Sequence, residues 1–229
     1  MLIIGHRGAP SIKHENTIES FQAALHHHVD GLEFDIQLTQ DNKLVVFHDF
    51  EILTLKNETQ LISEKSLQDI QKNSINYQIP TFEDVIKLCP SNKIINIEIK
   101  SNNLFNQFIV FEMLKILKKH SLHKNIIISS FNPFVLLETK KQDSKIKLGL
   151  LWSRNIGQPW FITHYSYYKL SPYSFHASIN YIDQKMVDWV KSKKMKLFLY
   201  TVNTAMQREK AYQLGADGIF SDYPNILEL

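Results

Sequence analysis

The chain has 229 residues, 44% of them hydrophobic and 21% charged, with a formal net charge of +3. That balance suits a large globular domain with a substantial core, and the charge is too small to point to nucleic acid. A single cysteine, Cys89, excludes an intrachain disulfide, and no apolar run is long enough to span a bilayer. Met1 leads into Leu2-Ile3-Ile4-Gly5 without a basic stretch or cleavage site. A cytoplasmic protein with no stable membrane insertion is therefore expected.

Leu2 to His6 reads as a short buried strand ending in His6-Arg7-Gly8, and Glu15 to His28 has helical spacing through Ile18, Phe21, Ala24 and Leu25. Gly31 to Asp49, GLEFDIQLTQDNKLVVFHD, holds two apolar-polar alternations around a polar turn. Leu32, Phe34 and Ile36 point one way and Glu33 and Asp35 the other. A two-residue turn at Asp41-Asn42, closed between Gln40 and Lys43, predicts an antiparallel return that sets His48 opposite or close to Asp35. Taken alone, this stretch is also what any exposed hairpin with a polar outer face looks like.

Phe50 to Ile79 reads as polar and irregular, with a short helix at Ser66 to Lys72. Thr81, with Asp84 three residues on, opens a helix by a capping-box pattern. Strands follow at Lys93 to Lys100, Asn125 to Ser130, Lys145 to Trp152, Phe175 to Ile179, Lys196 to Val202 and Gly218 to Ser221. Helices are predicted between them at Leu104 to Lys119, from Pro133, at Gln158 to Lys169, at Asp183 to Lys194 and at Thr204 to Leu214, with a short one after Pro224.

Strands alternating with helices indicate a parallel sheet with helical crossovers. Setting the antiparallel return aside, eight strands remain, which in a chain of this length fits a (β/α)8 TIM barrel with a small insertion at about residues 50–79. The competing arrangement is a doubly wound open sheet. No composition break divides the chain, so residues 1–229 are expected to form one domain.

In such a barrel the functional groups sit at the carboxyl ends of the strands. Those ends carry His6 and Arg7, Glu33 and Asp35, Glu98 and Lys100, Ser129 and Ser130, His176, and Thr201 with Asn203. Glu98 and Lys100 inside the apolar run KIINIEIK are costly unless paired or ligand-bound. A salt-bridged layer would explain them alone, but not the gathering of acids, bases and histidines at one end. Three carboxylates suit a hard divalent cation, two cationic side chains suit an anion, and two histidines suit proton transfer. Together they describe metal-assisted displacement at a phosphorus ester.

GHRGAP with HENTIESFQAAL, then GLEFDIQLTQDNKLVVFHD, IPTFEDVIKL, NIEIK, SSF, YTVN and GADGIFSDYP resemble, in order, the glycerophosphodiester phosphodiesterase family. The resemblance runs from Ile4 to Pro224, and its specific part is the HRG…ENT…E-x-D…HD set. It implies a (β/α)8 barrel, His6 and His48 as the acid-base pair, Glu33, Asp35 and Glu98 as ligands of one Ca2+ or Mg2+ ion, and Arg7 and Lys100 on the phosphate. The implied reaction cuts a small glycerophosphodiester to glycerol 3-phosphate and an alcohol. Its route is attack by the glycerol 2-hydroxyl, with His6 as base and His48 as acid, and water then opens a cyclic phosphate. Glu15, Asn16 and Thr17 are expected to cap the first helix and hold the His6-Arg7 loop, with direct contact to the phosphate as the alternative.

Two positions depart from the family. Thr54-Leu55 stand where many members have Arg-Thr, which puts recognition of the alcohol by the insertion in doubt. Tyr200 replaces a usual tryptophan, and either ring can wall a glycerol site. Two other activities fit the same residues: lysophospholipase D action on a lysophospholipid, and phosphate binding without turnover. Consecutive His26-His27-His28 diverge by about 100° each and cannot share an ion. Cys89 is expected to be buried and inert. His176 is either a packed histidine or part of the site. The aromatic stretch from Trp160 to Phe175 is expected to pack against the barrel rather than touch lipid.

Overall fold

The computed structural model describes residues 1–229 other than 56, 75–76, 104, 123–124, 157–158 and 229. The barrel strands are β1 (Leu2–Gly5), β2 (Gly31–Leu38), β6 (Ile94–Ile99), β7 (Ile126–Ser130), β8 (Lys147–Trp152), β9 (Ser174–Ser178), β10 (Lys196–Tyr200) and β11 (Gly218–Ser221). Between and around them lie β3 (Leu44–Val46), β4 (Glu51–Leu53) and β5 (Thr59–Leu61). The helices are α1 (Ile18–His26), α2 (Leu67–Asn73), α3 (Phe82–Leu88), α4 (Gln107–Lys119), α5 (Pro133–Gln142), α6 (Trp160–Leu170), α7 (Gln184–Ser192) and α8 (Ala205–Gln213).

All barrel neighbours pair in parallel, in the order β1-β11-β10-β9-β8-β7-β6-β2, and β1 also pairs with β2. That last ladder closes the ring and excludes the open sheet. Closure buries both strand faces, so the two sides of β2 become two different environments. Leu32, Phe34 and Ile36 are fully buried in the core shared with the helices. Phe34 lies between Phe21 of α1 and Phe82 of α3, with ring centroids 5.6 and 6.1 Å away. Truncating such a ring to alanine costs about 3–5 kcal/mol. Glu33 and Asp35 take the opposite face and are equally buried, so the exposed-hairpin alternative fails. Deeper in the barrel, Ile4, Ile127, Phe198 and Phe220 form a separate apolar cluster.

Helix starts follow local hydrogen-bond chemistry. Thr17, Ser66, Asn106, Asp183 and Thr204 each cap a helix through the side chain, and Thr81 with Asp84 forms the capping box. α1 therefore begins at Ile18 rather than Glu15. α4 begins at Gln107, and Leu104 and Gln158, taken from sequence as helix starts, lie outside the described residues.

Two expectations need correction. The hairpin turn is not of two residues: Thr39 N–H donates to Lys43 O at 2.9 Å, leaving three residues between them. Asn42 takes the left-handed conformation, φ 57°, as in a type I turn followed by a bulge. The register shifts by one, Phe47 N–H meets Asp35 O at 3.1 Å, and His48 follows just past that pair. The segment after Asp49 is not irregular either. β4 and β5 pair antiparallel, and Ile52, Ile62, Ile70 and Ile79 close on Val45 as a core of their own. The polar residues between those isoleucines masked a spacing that only the fold brings together.

Candidate active site

β2 changes neighbours halfway along one edge. Gly31 and Leu32 pair with β1, whereas Ile36 to Leu38 pair with β3. Glu33 and Asp35 sit at that changeover, where the chain leaving β1 passes. Arg7 there has φ 53° and Gly8 φ 91°, a tight reversal that turns Arg7 N–H onto Glu33 Oε2 at 2.9 Å. Ser20 of α1 locks the reversal, accepting from Ala9 N–H at 2.8 Å and donating to Arg7 O at 3.0 Å.

On the other edge of β2, Asp35 is in register with Glu98 of β6. Glu33, Asp35 and Glu98 each present an oxygen within 4.8 Å of the others, the one such cluster of possible metal ligands among the described residues. Arg7 Nε lies 3.4 Å from Asp35 Oδ2, and Lys100 Nζ lies 3.1 Å from Glu98 and 3.8 Å from Asp35. Burial opposes charge on both cations, but the surrounding carboxylates overcome it and hold them protonated.

Fully ionised, the three carboxylates would outnumber the two cations, and Arg7 is shared with Glu15 besides. Two of the acids bear the cost: burial, with Asp35 and Glu98, pushes the Glu33 carboxyl well above the usual range, and burial with Asp35 raises Glu98 in spite of Lys100. Asp35 goes the other way: Lys100, Arg7 and His48 outweigh its burial and keep it low. An all-oxygen donor set in which acids outnumber cations fits a hard divalent cation.

The ENT piece does more than cap. Thr17 accepts from Ser20 N–H, and Glu15 Oε1 takes Arg7 Nη1 at 2.8 Å. Asn16, also left-handed at φ 56°, donates through Nδ2 to Asp35 Oδ2 at 3.0 Å. Asn16 thus orients one of the acids, a role not anticipated from sequence.

His6, Arg7, Glu33, His48, Glu98 and Lys100 line one cavity of about 220 Å3. Asp35 lies against them through its pairs with Arg7 and Lys100. Phe131, Leu151, Tyr200 and Phe220 complete an apolar wall, so Tyr200 does reach the cavity. Thr54 instead bridges Ser74 within the insertion, and neither Thr54 nor Leu55 lines the cavity.

Each imidazole has a carboxylate on Nδ1. His6 meets Asp222 Oδ1, and His48 meets Asp49 Oδ1, both at 2.7 Å. Asp222 is itself held by Asn203, which donates through Nδ2 at 2.6 Å and accepts the Asp222 N–H at 2.9 Å. Burial raises the Asp222 carboxyl, but its bonds to His6 and Asn203 outweigh that and keep it ionised. Sequence reasoning named neither aspartate for this role. The signal was available, since Asp222 immediately follows β11 at a strand end and Asp49 follows His48.

His176 is fully buried, lines the same cavity, and bonds Ser174 Oγ at 2.8 Å through Nε2. Burial holds it neutral, down to about 3. Ser130 supports backbone, donating to Ile99 O at 2.8 Å. Cys89 is buried, its thiol pushed up to about 12 by burial. His26, His27 and His28 are exposed. In α6, Trp160 packs into the core while Phe161, Tyr165 and Tyr168 face outward.

The sequence pattern of the glycerophosphoryl diester phosphodiesterase family matches residues 6–226. The chain belongs to this family. A glycerophosphodiester phosphodiesterase of Caldanaerobacter subterraneus is 32% identical over 236 residues, covering 99% of this chain and 96% of the relative. The phosphodiesterase barrel of Thermotoga maritima superposes with a TM-score of 0.83 at 27% identity, covering all of this chain and 97% of that one. A phosphodiesterase of Oleispira antarctica, solved with its product sn-glycerol-3-phosphate, gives 0.86 at 25% identity, covering 100% and 96%. A human lysophospholipase D is similar at 22% identity over 98% of this chain and 84% of its own. No helix among the described residues of this family member is long and apolar enough to cross a membrane.

Proposed function

We propose that the chain hydrolyses small glycerophosphodiesters to glycerol 3-phosphate and an alcohol, residues 1–229 acting as one barrel domain. The observation carrying this is one cavity lined by two carboxylate-backed imidazoles, two cationic side chains and two acids of a triad whose third member, Asp35, lies against them. Glu33, Asp35 and Glu98 would hold Ca2+ or Mg2+, which when bound supplies positive charge beside a phosphoryl oxygen. Arg7 and Lys100 add their own charge to the phosphate, Arg7 held in place by Glu15 and Asp35.

His6 donates Nδ1–H to Asp222, which leaves Nε2 free to accept a proton. Nε2 takes it from the glycerol 2-hydroxyl as that oxygen bonds to phosphorus. His48 gives a proton to the departing alcohol oxygen as its bond to phosphorus breaks, and a cyclic phosphate remains. His48, now neutral, then takes a proton from the attacking water, and His6 returns its proton to O2 as the ring opens. Both histidines end as they began, and one water has been consumed.

The test is release of glycerol 3-phosphate from glycerophosphocholine with and without chelator, in the parent and in His6→Ala and His48→Ala proteins. Unchanged rates in either variant overturn the acid-base roles.

A second reading is a lysophospholipase D-type activity. It is favoured by exposed Phe105 and Phe134, ring centroids 4.9 Å apart on the segments following β6 and β7, Phe134 three residues after the cavity-lining Phe131. Comparable turnover of a lysophospholipid and glycerophosphocholine would support it. Every assigned catalytic position is filled, which speaks against binding without turnover.

A further inference from the structure

Gln37 stands two residues beyond Asp35 on β2, so by strand alternation its side chain takes the face that carries Glu33 and Asp35. It is 4% exposed, and its Nε2 lies 2.9 Å from Phe47 O, 3.2 Å from His48 O and 2.6 Å from Asp49 O. We propose that Gln37 is a positioning residue for catalysis: it clamps the backbone on either side of His48 and so holds that imidazole at the catalytic cavity. The role rests on the phosphodiesterase reading in which His48 protonates the departing alcohol.

The acceptors fix the chemistry of the clamp. All three are carbonyl oxygens, which only accept, so the nitrogen end of the amide must face them. An amide NH2 carries two hydrogens, which the three carbonyls share. Three consecutive carbonyls reach one nitrogen only where the backbone curls around it, so the residues flanking His48 are wound about the Gln37 amide.

The two imidazoles are not held alike. His6 leans on Asp222, which is 28% exposed and is itself bonded by Asn203. His48 leans on Asp49, its own chain neighbour, which is 73% exposed. A pair so open to water orients a ring weakly. A bond between adjacent residues also sets the ring relative to its own loop and not relative to the barrel. β3 ends at Val46, so the strand ladder stops short of His48. Phe47 still donates its N–H to Asp35 O at 3.1 Å, and Gln37 takes over from there. One strand therefore bears two acids of the triad and the tie that sets the second imidazole against them.

The test compares single-turnover release of the alcohol from glycerophosphocholine and from the p-nitrophenyl ester of glycerol 3-phosphate, with a divalent cation present. Choline leaves as an alkoxide that needs the proton of His48, whereas p-nitrophenolate departs without one. Gln37→Met, of similar length but without a donor, is expected to slow choline release by about 10²-fold, the cost of a misplaced general acid, and p-nitrophenolate release by less than about threefold. Substrate affinity stays within about twofold, because His48 acts on the bond that breaks. Gln37→Asn, which keeps the amide but withdraws it by one carbon, shows the same split more mildly and serves should Gln37→Met fail to fold. NMR of the imidazole signals needs no turnover: the His48 signal broadens or splits in the variant, while that of His6 stays as in the parent. That result, with neither ester hydrolysed by the parent, would sustain the clamp and reject the phosphodiesterase reading. Equal slowing of both esters, no slowing of choline release, or an unchanged His48 signal overturns the positioning role.

Discussion

His6 Nδ1 lies 2.7 Å from Asp222 Oδ1, so the imidazole that follows the first barrel strand is fixed by the carboxylate that follows the last, 216 residues away. The β1–β11 ladder puts Gly5 beside Ser221, which brings their successors together at the same rim. The pair therefore depends on the first and last barrel strands being neighbours, and it decides which ring nitrogen of His6 faces the cavity.

Asp222→Asn is expected to lower kcat by about 10²- to 10⁴-fold, by analogy with a buried aspartate that fixes a histidine tautomer in serine proteases. The amide can donate to Nδ1 and so present the wrong tautomer. Steady-state kinetics on glycerophosphocholine, with circular dichroism to confirm folding, checks this. A loss below threefold rejects the positioning role.

Divalent cations are expected to stabilise the fold as well as to support turnover. Burial and the neighbouring acids Asp35 and Glu98 push the Glu33 carboxyl up, and a cation relieves that repulsion. At a hundredfold excess over Kd, binding to the native state adds about 2.7 kcal/mol, or roughly 5–10 °C in a chain of this size. Thermal melts with chelator and with Ca2+ or Mg2+ measure it, and Glu98→Gln should shrink the shift.

Gly8 carries φ 91°, and a Cβ there would stand 2.7 Å from Ser20 carbonyl carbon and 2.9 Å from Phe21 N. Both obstacles are backbone, so neither can rotate away. Gly8→Ala is expected to cost about 2–4 kcal/mol in urea unfolding, combining left-handed strain with overpacking. It should also lower activity, because the same turn aims Arg7 N–H at Glu33.

His176 is buried neutral, held by burial down to about 3. Its folded pKa lies below the unfolded value of about 6.5. As pH falls through that unfolded value the unfolded chain gains a proton that the native state does not, so stability rises with pH between those limits. By pH 5 the loss relative to pH 8 is about 2 kcal/mol from this residue. Urea midpoints at the two pH values, in the parent and in His176→Gln, isolate the contribution as the difference of differences.

Much of the site was legible because it is written along strands. Glu33 and Asp35 alternate with Leu32, Phe34 and Ile36, and Glu98 interrupts an apolar run, patterns that survive in one dimension. The hairpin register was misread by one residue, because Asn42 adopts a left-handed conformation that lengthens the turn. The isoleucines at 52, 62, 70 and 79 follow no single period, so their joint core could not be seen from spacing. Asn16 was read as part of a cap, and its reach to Asp35 depends on where α1 packs against β2.

Two-residue alternation, strand-end charge and the recurrence of strand and helix are local properties, so the amino-acid order alone determined the eight parallel strands with helical crossovers and the shared side of the two acids on β2, while the β1–β2 ladder decided the closed barrel. Which carboxylate backs His6 and which Asp35 oxygen Asn16 reaches were decided only by tertiary structure. Those groups are separated by loops and by ring closure, and no periodicity along the chain carries information about a contact that forms when its two ends come together.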